Sequence, residues 1–136
     1  MRIENIFDDA IAFNLERSKT LTVNREAMGA VPFAKEFQTV RINLGRQCGQ
    51  TTYILRTMTP YDVLFTRYAL EMETKIGYWS PQKFHILSSK ASEVKFVLPT
   101  DHGKVWIDDA SFVDPETLKS IYEKYAGHVD QFILVG

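Results

Sequence analysis

Residues 39–55 read Thr39-Val40-Arg41-Ile42-Asn43-Leu44-Gly45-Arg46-Gln47-Cys48-Gly49-Gln50-Thr51-Thr52-Tyr53-Ile54-Leu55. Val40 and Ile42 alternate with polar neighbours, the two-residue period of a short buried strand. Gly45 and Gly49 break that pattern. From Gln50 to Arg56 the residues read as the first turns of a helix. Strand, glycine loop and helix is a layout that cradles anions: backbone N–H groups at a helix N-terminus point outward, and glycines let the backbone come close.

The rest of the composition bounds this reading. The chain has 136 residues, the size of one domain with its own core. Its 45% hydrophobic and 24% charged content is that of a globular protein. The net charge of −1 argues against a nucleic-acid surface, for which a basic excess is expected. Cys48 is the single cysteine, which excludes an intramolecular disulfide and points to a reducing compartment. No apolar run approaches the roughly 20 residues of a membrane span. The opening MRIENIFDDA carries acids where a signal peptide carries basic residues. A cytoplasmic protein that does not engage a membrane is therefore expected.

Along the chain, Ile3, Ile6, Phe7, Ala10, Ile11 and Asn14 recur at helical spacing and predict an amphipathic helix. Asn24 is the expected cap of a second helix with Ala27, Met28, Val31 and Ala34 inward. Pro32 within that pattern requires a late start or a kink. These elements form an N-terminal helical segment, 1–37, of a single domain, 1–136. After the glycine loop, Thr59-Pro60 ends the helix and residues 61–66 form an apolar strand of the kind covered on both faces. A short helix follows over 68–76, then a turn at Ser80-Pro81, a strand over 84–89, a fourth apolar segment over 94–98 and a turn over 100–103. Strands alternate with helices, so a three-layer α/β fold with a mostly parallel sheet flanked by helices is expected.

A second stretch carries chemistry: Lys104-Val105-Trp106-Ile107-Asp108-Asp109-Ala110-Ser111, an apolar strand ending in two acids. Asp114-Pro115 then opens a helix, with a capping acid and proline at the first position. Gly127 closes it, and Gln131–Val135 is a last apolar strand. The acids at 108 and 109 read either as a functional pair or as solvent-facing residues where a strand meets a loop.

Taken together, these motifs resemble a P-loop NTPase. Gly45-Arg46-Gln47-Cys48-Gly49-Gln50-Thr51-Thr52 is similar to a Walker A loop, and more narrowly to the Arg-Gln-x-Gly-Lys-Thr loop of viral DNA-packaging terminase ATPases. Asp108-Asp109-Ala110 and Ile133-Leu134-Val135-Gly136 resemble, in order, the terminase Ile-Asp-Glu-Ala strand end and its Ile-Leu-Val-Gly strand. Three departures stand out. The first family glycine falls at Leu44, Gln50 occupies the lysine position, and Asp109 replaces the usual Glu. The resemblance covers roughly 37–136. It implies a truncated P-loop fold without a later sensor, arginine finger or nuclease domain, and a viral or phage source.

The same resemblance implies an ATP-binding site that holds Mg²⁺. Residues 45–52 would cradle the phosphates, with Arg46 substituting for the absent lysine. Thr51 and Asp108 would hold the metal, and Asp109 would orient the attacking water. Phe37-Gln38 resembles the adenine-contacting element of terminases and helicases, or is a core phenylalanine beside a surface glutamine. His85, His102 and His128 are scattered. Lys83, Lys90, Lys95 and Lys104 read as solvated charge. Trp79 and Trp106 read as packing residues. Cys48 at a helix N-terminus favours a thiolate but has no histidine near it in sequence.

Three functions follow as expectations. The first is a small terminase- or helicase-like domain that binds ATP and Mg²⁺ and hydrolyses ATP weakly or with a partner's help. The second is an inactive domain of the same fold, a viral accessory factor that acts by binding another protein. The third, weakest on charge, is nucleic-acid binding. The first rests on the loop and the twin acids lying on neighbouring parallel strands and facing a common space.

Overall fold

A computed structural model describes residues 3–44, 49–77, 84–90 and 103–136. Three helices come first: α1 (Ile3–Lys19), α2 (Thr22–Met28) and α3 (Ala30–Phe37). The sheet is built from β1 (Thr39–Ile42), β2 (Val63–Thr66), β3 (His85–Ser88), β4 (Lys104–Asp108) and β5 (Gln131–Val135). Between them run α4 (Gln50–Thr57), α5 (Ala69–Gly77) and α6 (Pro115–Tyr125). The expected segment over 94–98 and the turns at 80–81 and 100–102 lie outside the described residues.

Every described strand pairing is parallel, and the order across the sheet is β1-β5-β4-β2-β3. Alternation along the strands divides the core in two. Val40, Ile42, Leu64, Ile86, Trp106, Ile133 and Val135 face α1, α4 and α5. Val63, Phe65, Val105, Ile107, Phe132 and Leu134 face α3 and α6. The chain travels one way across the sheet through α4 and α5 and returns through α6 on the other face. Helices on opposite faces are what a uniform crossover hand requires when the direction reverses. The three-layer α/β arrangement expected from the alternating elements is thus present.

The N-terminal segment is packed into this body. Phe7 is fully buried and its ring stacks on Tyr53 of α4 at 4.4 Å. The Tyr53 hydroxyl donates to Asp8. Burial, reinforced by that carboxylate, holds the phenol above its ordinary pKa. Gln131 at the start of β5 donates from Nε2 to the Ile11 carbonyl (2.9 Å) and to Asn14 (3.0 Å), and Asn14 donates to the Phe37 carbonyl (3.0 Å).

One local expectation changes and one is settled. Asn24 lies inside α2, whose cap is Leu21, because α1 runs on to Lys19 and only a two-residue turn separates the helices. Of the late start and the kink that Pro32 allowed, the structure takes the late start: the pattern is divided at Gly29, where φ is +90°, and α3 begins at Ala30. That break puts Pro32 in the first turn of α3, where its missing N–H has no helical partner to lose.

Asp62 is a further tie that periodicity does not reveal. It is buried, and its carboxylate accepts from Thr59 N–H (3.0 Å), Lys104 N–H (2.9 Å) and Trp106 Nε1–H (3.0 Å). It thereby closes the turn before β2 and locks β2 to β4 at their N-terminal ends. Trp106 is a packing residue, as expected; Trp79 lies outside the described residues.

Candidate functional site

The two informative stretches meet at the C-terminal edge of the sheet. The chain leaves β2 through α5 on one face and leaves the adjacent β4 through α6 on the other. Such a reversal point is where open parallel sheets bind ligands. Thr66 ends β2 there and Arg67 follows it; Asp108 ends β4 and Asp109 follows it.

Thr51 arrives from α4. Gly49 caps that helix in the left-handed region (φ +80°, ψ 17°), and its carbonyl accepts from Tyr53 N–H at 2.9 Å. Glycine takes this conformation with little steric cost. Thr51 in the first turn then donates its hydroxyl to the Asp108 carboxylate, at 3.3 and 3.4 Å to the two oxygens. Thr66 adds a longer bond to the same carboxylate, at 3.5 Å.

The expected adjacency of the two strands is corrected. β5 lies between β1 and β4, so the loop-bearing and acid-bearing strands are not neighbours. They reach a common space because α4 carries Thr51 across the end of β5. Gly136 joins the three strand ends: its N–H donates to the Ile42 carbonyl, and its carbonyl accepts from Ser111 N–H, both at 2.9 Å.

Asp108 is 4% exposed. Burial raises its pKa above the ordinary carboxylate value, and the neighbouring charge of Asp109 adds to the rise. The Thr51 and Thr66 hydroxyls act in the opposite direction. Asp109 has φ +52°, the only non-glycine residue with positive φ among those described. Such backbone conformations concentrate at functional positions, because the surroundings must hold them. Its carboxylate pairs with Arg67 Nε at 3.2 Å. The Arg67 guanidinium also lies over the rings of Tyr68 (4.9 Å) and Phe112 (4.8 Å).

The remaining expected site residues divide in three groups. Gly45, Arg46, Gln47 and Cys48 lie outside the described residues. Gln50 opens α4, and its Oε1 accepts from Leu44 N–H at 3.0 Å, tying the two ends of the loop together. Thr52 is partly buried on the first turn of the same helix. Gln38 does not join the site. It is buried at the N-terminal end of β1, where its carbonyl accepts from Phe132 N–H at 2.8 Å. The length of β1 separates it from Asp108, since the strand runs from Gln38 toward the loop.

Arg67 and Thr66 are the site residues that the sequence reading missed. Their only local signal is position: Thr66 ends an apolar parallel strand and Arg67 follows it, the place where such folds carry function. Among the described residues no group of three His, Cys, Asp or Glu side chains gathers into a metal site, and no helix is long and apolar enough to cross a membrane. No protein-family model, curated protein or solved structure matches the chain.

Proposed function

We propose that the C-terminal edge of the sheet binds a nucleoside triphosphate together with Mg²⁺, and that the chain is a small terminase- or helicase-like P-loop domain. One observation carries the reading. Thr51 on the helix after the glycine loop and Asp108 at the end of the acid strand, 57 positions apart, are hydrogen-bonded to each other. A threonine hydroxyl and a carboxylate form the oxygen donor set that Mg²⁺ takes alongside phosphate oxygens. Asp108 is also a buried acid with a raised pKa, a feature that clusters at functional sites. The residues present therefore fit the ion: Asp108 and Thr51 would hold it, and it would neutralise charge on the phosphates.

Each residue then has a task. The α4 N-terminus, opened by Gly49, presents backbone N–H groups to an anion. Asp109 would orient the attacking water. Gln50 carries no charge, and Asp109 is shorter than the usual Glu, so turnover is slow or depends on a partner. Calorimetry and thermal shift with Mg²⁺ and ATP test this directly. Heat release and a raised melting temperature are expected; neither effect at millimolar ATP would reject the reading.

A second reading has its own observation. Gln50 is turned back onto Leu44 N–H, so the residues on either side of the loop are tied by the chain's own side chain. A protein of this kind would keep the fold and act by binding another protein. Measurable ATP turnover by the isolated chain would exclude it.

A further inference from the structure

We propose that Arg67 is the basic residue that meets the terminal phosphate of the bound nucleotide, exchanging the Asp109 carboxylate for that phosphate. The inference rests on the nucleotide reading above and assigns the charge that Gln50 cannot supply. Among the described residues, Arg67 is the one cation ion-paired to either acid of the site. It directly follows β2, the strand beside β4, which Asp108 ends and Asp109 follows. Its placement therefore comes from the sheet and not from the loop over residues 45–48.

The guanidinium is suited to a change of partner. It has five N–H donors in a planar fork. Nε takes Asp109, and the two Nη nitrogens hydrogen-bond no described residue. The side chain is about one-third exposed, on the side of the molecule an incoming anion could reach. Tyr68 and Phe112 hold the guanidinium by their ring faces. Breaking the Asp109 contact would therefore leave the group in place rather than release it into solvent. Phosphate oxygens accept paired N–H bonds from arginine as a carboxylate does. Asp109, freed from Arg67, would face the water that it is proposed to orient.

The test is titration of ATP and ADP, each with Mg²⁺, into the full chain and into Arg67→Gln and Arg67→Lys. Arg67→Gln removes the charge while keeping a planar end group, and circular dichroism confirms that each variant is folded. Arg67→Gln is expected to weaken ATP about tenfold or more while changing ADP little, because the contact is to the terminal phosphate. Arg67→Lys, which keeps the charge but loses the fork, is expected to fall between. Unchanged ATP affinity in Arg67→Gln, or an equal loss for ATP and ADP, overturns the assignment and leaves the nucleotide reading standing. Absence of ATP binding to the unaltered chain removes both.

Discussion

Asp108 carries a cost in stability at neutral pH. A carboxylate that is 4% exposed and beside a second carboxylate is easier to keep protonated than one in water. Its folded pKa is raised, so its contribution favours folding below the ordinary carboxylate value of 3.8 and is lost as pH climbs through the folded pKa. Replacing it with Asn removes the charge and keeps an oxygen that can accept from Thr51 and Thr66. Asp108→Asn is expected to raise the melting temperature at pH 7 by about 3 °C, on the order of 1 kcal/mol. The gain should shrink toward zero as the buffer approaches pH 4. Melting curves of both proteins over pH 4 to 7.5 check this, and a variant less stable at neutral pH would contradict it. The twin acids themselves were legible in the sequence. Their partner Arg67 was not, because an ion pair between residues 42 positions apart leaves no local pattern.

At the scale of elements, the strand, glycine turn and helix over 39–57 decide where Thr51 points. Gly49 supplies the left-handed cap, and a Cβ there would meet no atom of the described residues within 4 Å. Substitution cost therefore isolates backbone strain from packing. Gly49→Ala is expected to destabilise by about 1 kcal/mol, lowering the melting temperature by about 3 °C. Gly49→Asn should cost less, since Asn visits this region more readily. Equal losses for the two would mean that strain is not the cause. This element was readable in advance because its signals are local: a two-residue period, then glycines, then helix formers. The same holds for α6, where Asp114 accepts from Glu116 N–H at 2.9 Å and Pro115 takes the first position. The division of α2 from α3 at Gly29 was less legible, because Pro32 alone permits either a kink or a fresh start.

Over the whole molecule, the N-terminal segment packs into the same body as the sheet. α1 lies against the face that also receives α4, and Phe7 with Asp8 grips Tyr53 two positions beyond Thr51. Emptying the Phe7 position should cost about 3–5 kcal/mol and lower the melting temperature by about 10 °C or more. Denaturant unfolding of Phe7→Ala by fluorescence and by circular dichroism should show one shared, shifted transition. Two separate transitions, or a change under 1 kcal/mol, would show that α1 is an appendage.

Residues read in isolation determined which segments become strands and helices, since burial period and capping act over a few positions. They also placed the glycine loop before a helix and two acids at the end of an apolar strand. Tertiary structure alone inserted β5 between β1 and β4, left Gln38 at the far end of its strand, and brought Arg67 to Asp109. Strand order follows from how apolar faces are shared between helices on the two sides of the sheet. That is a property of the assembled layers, and no single segment encodes it.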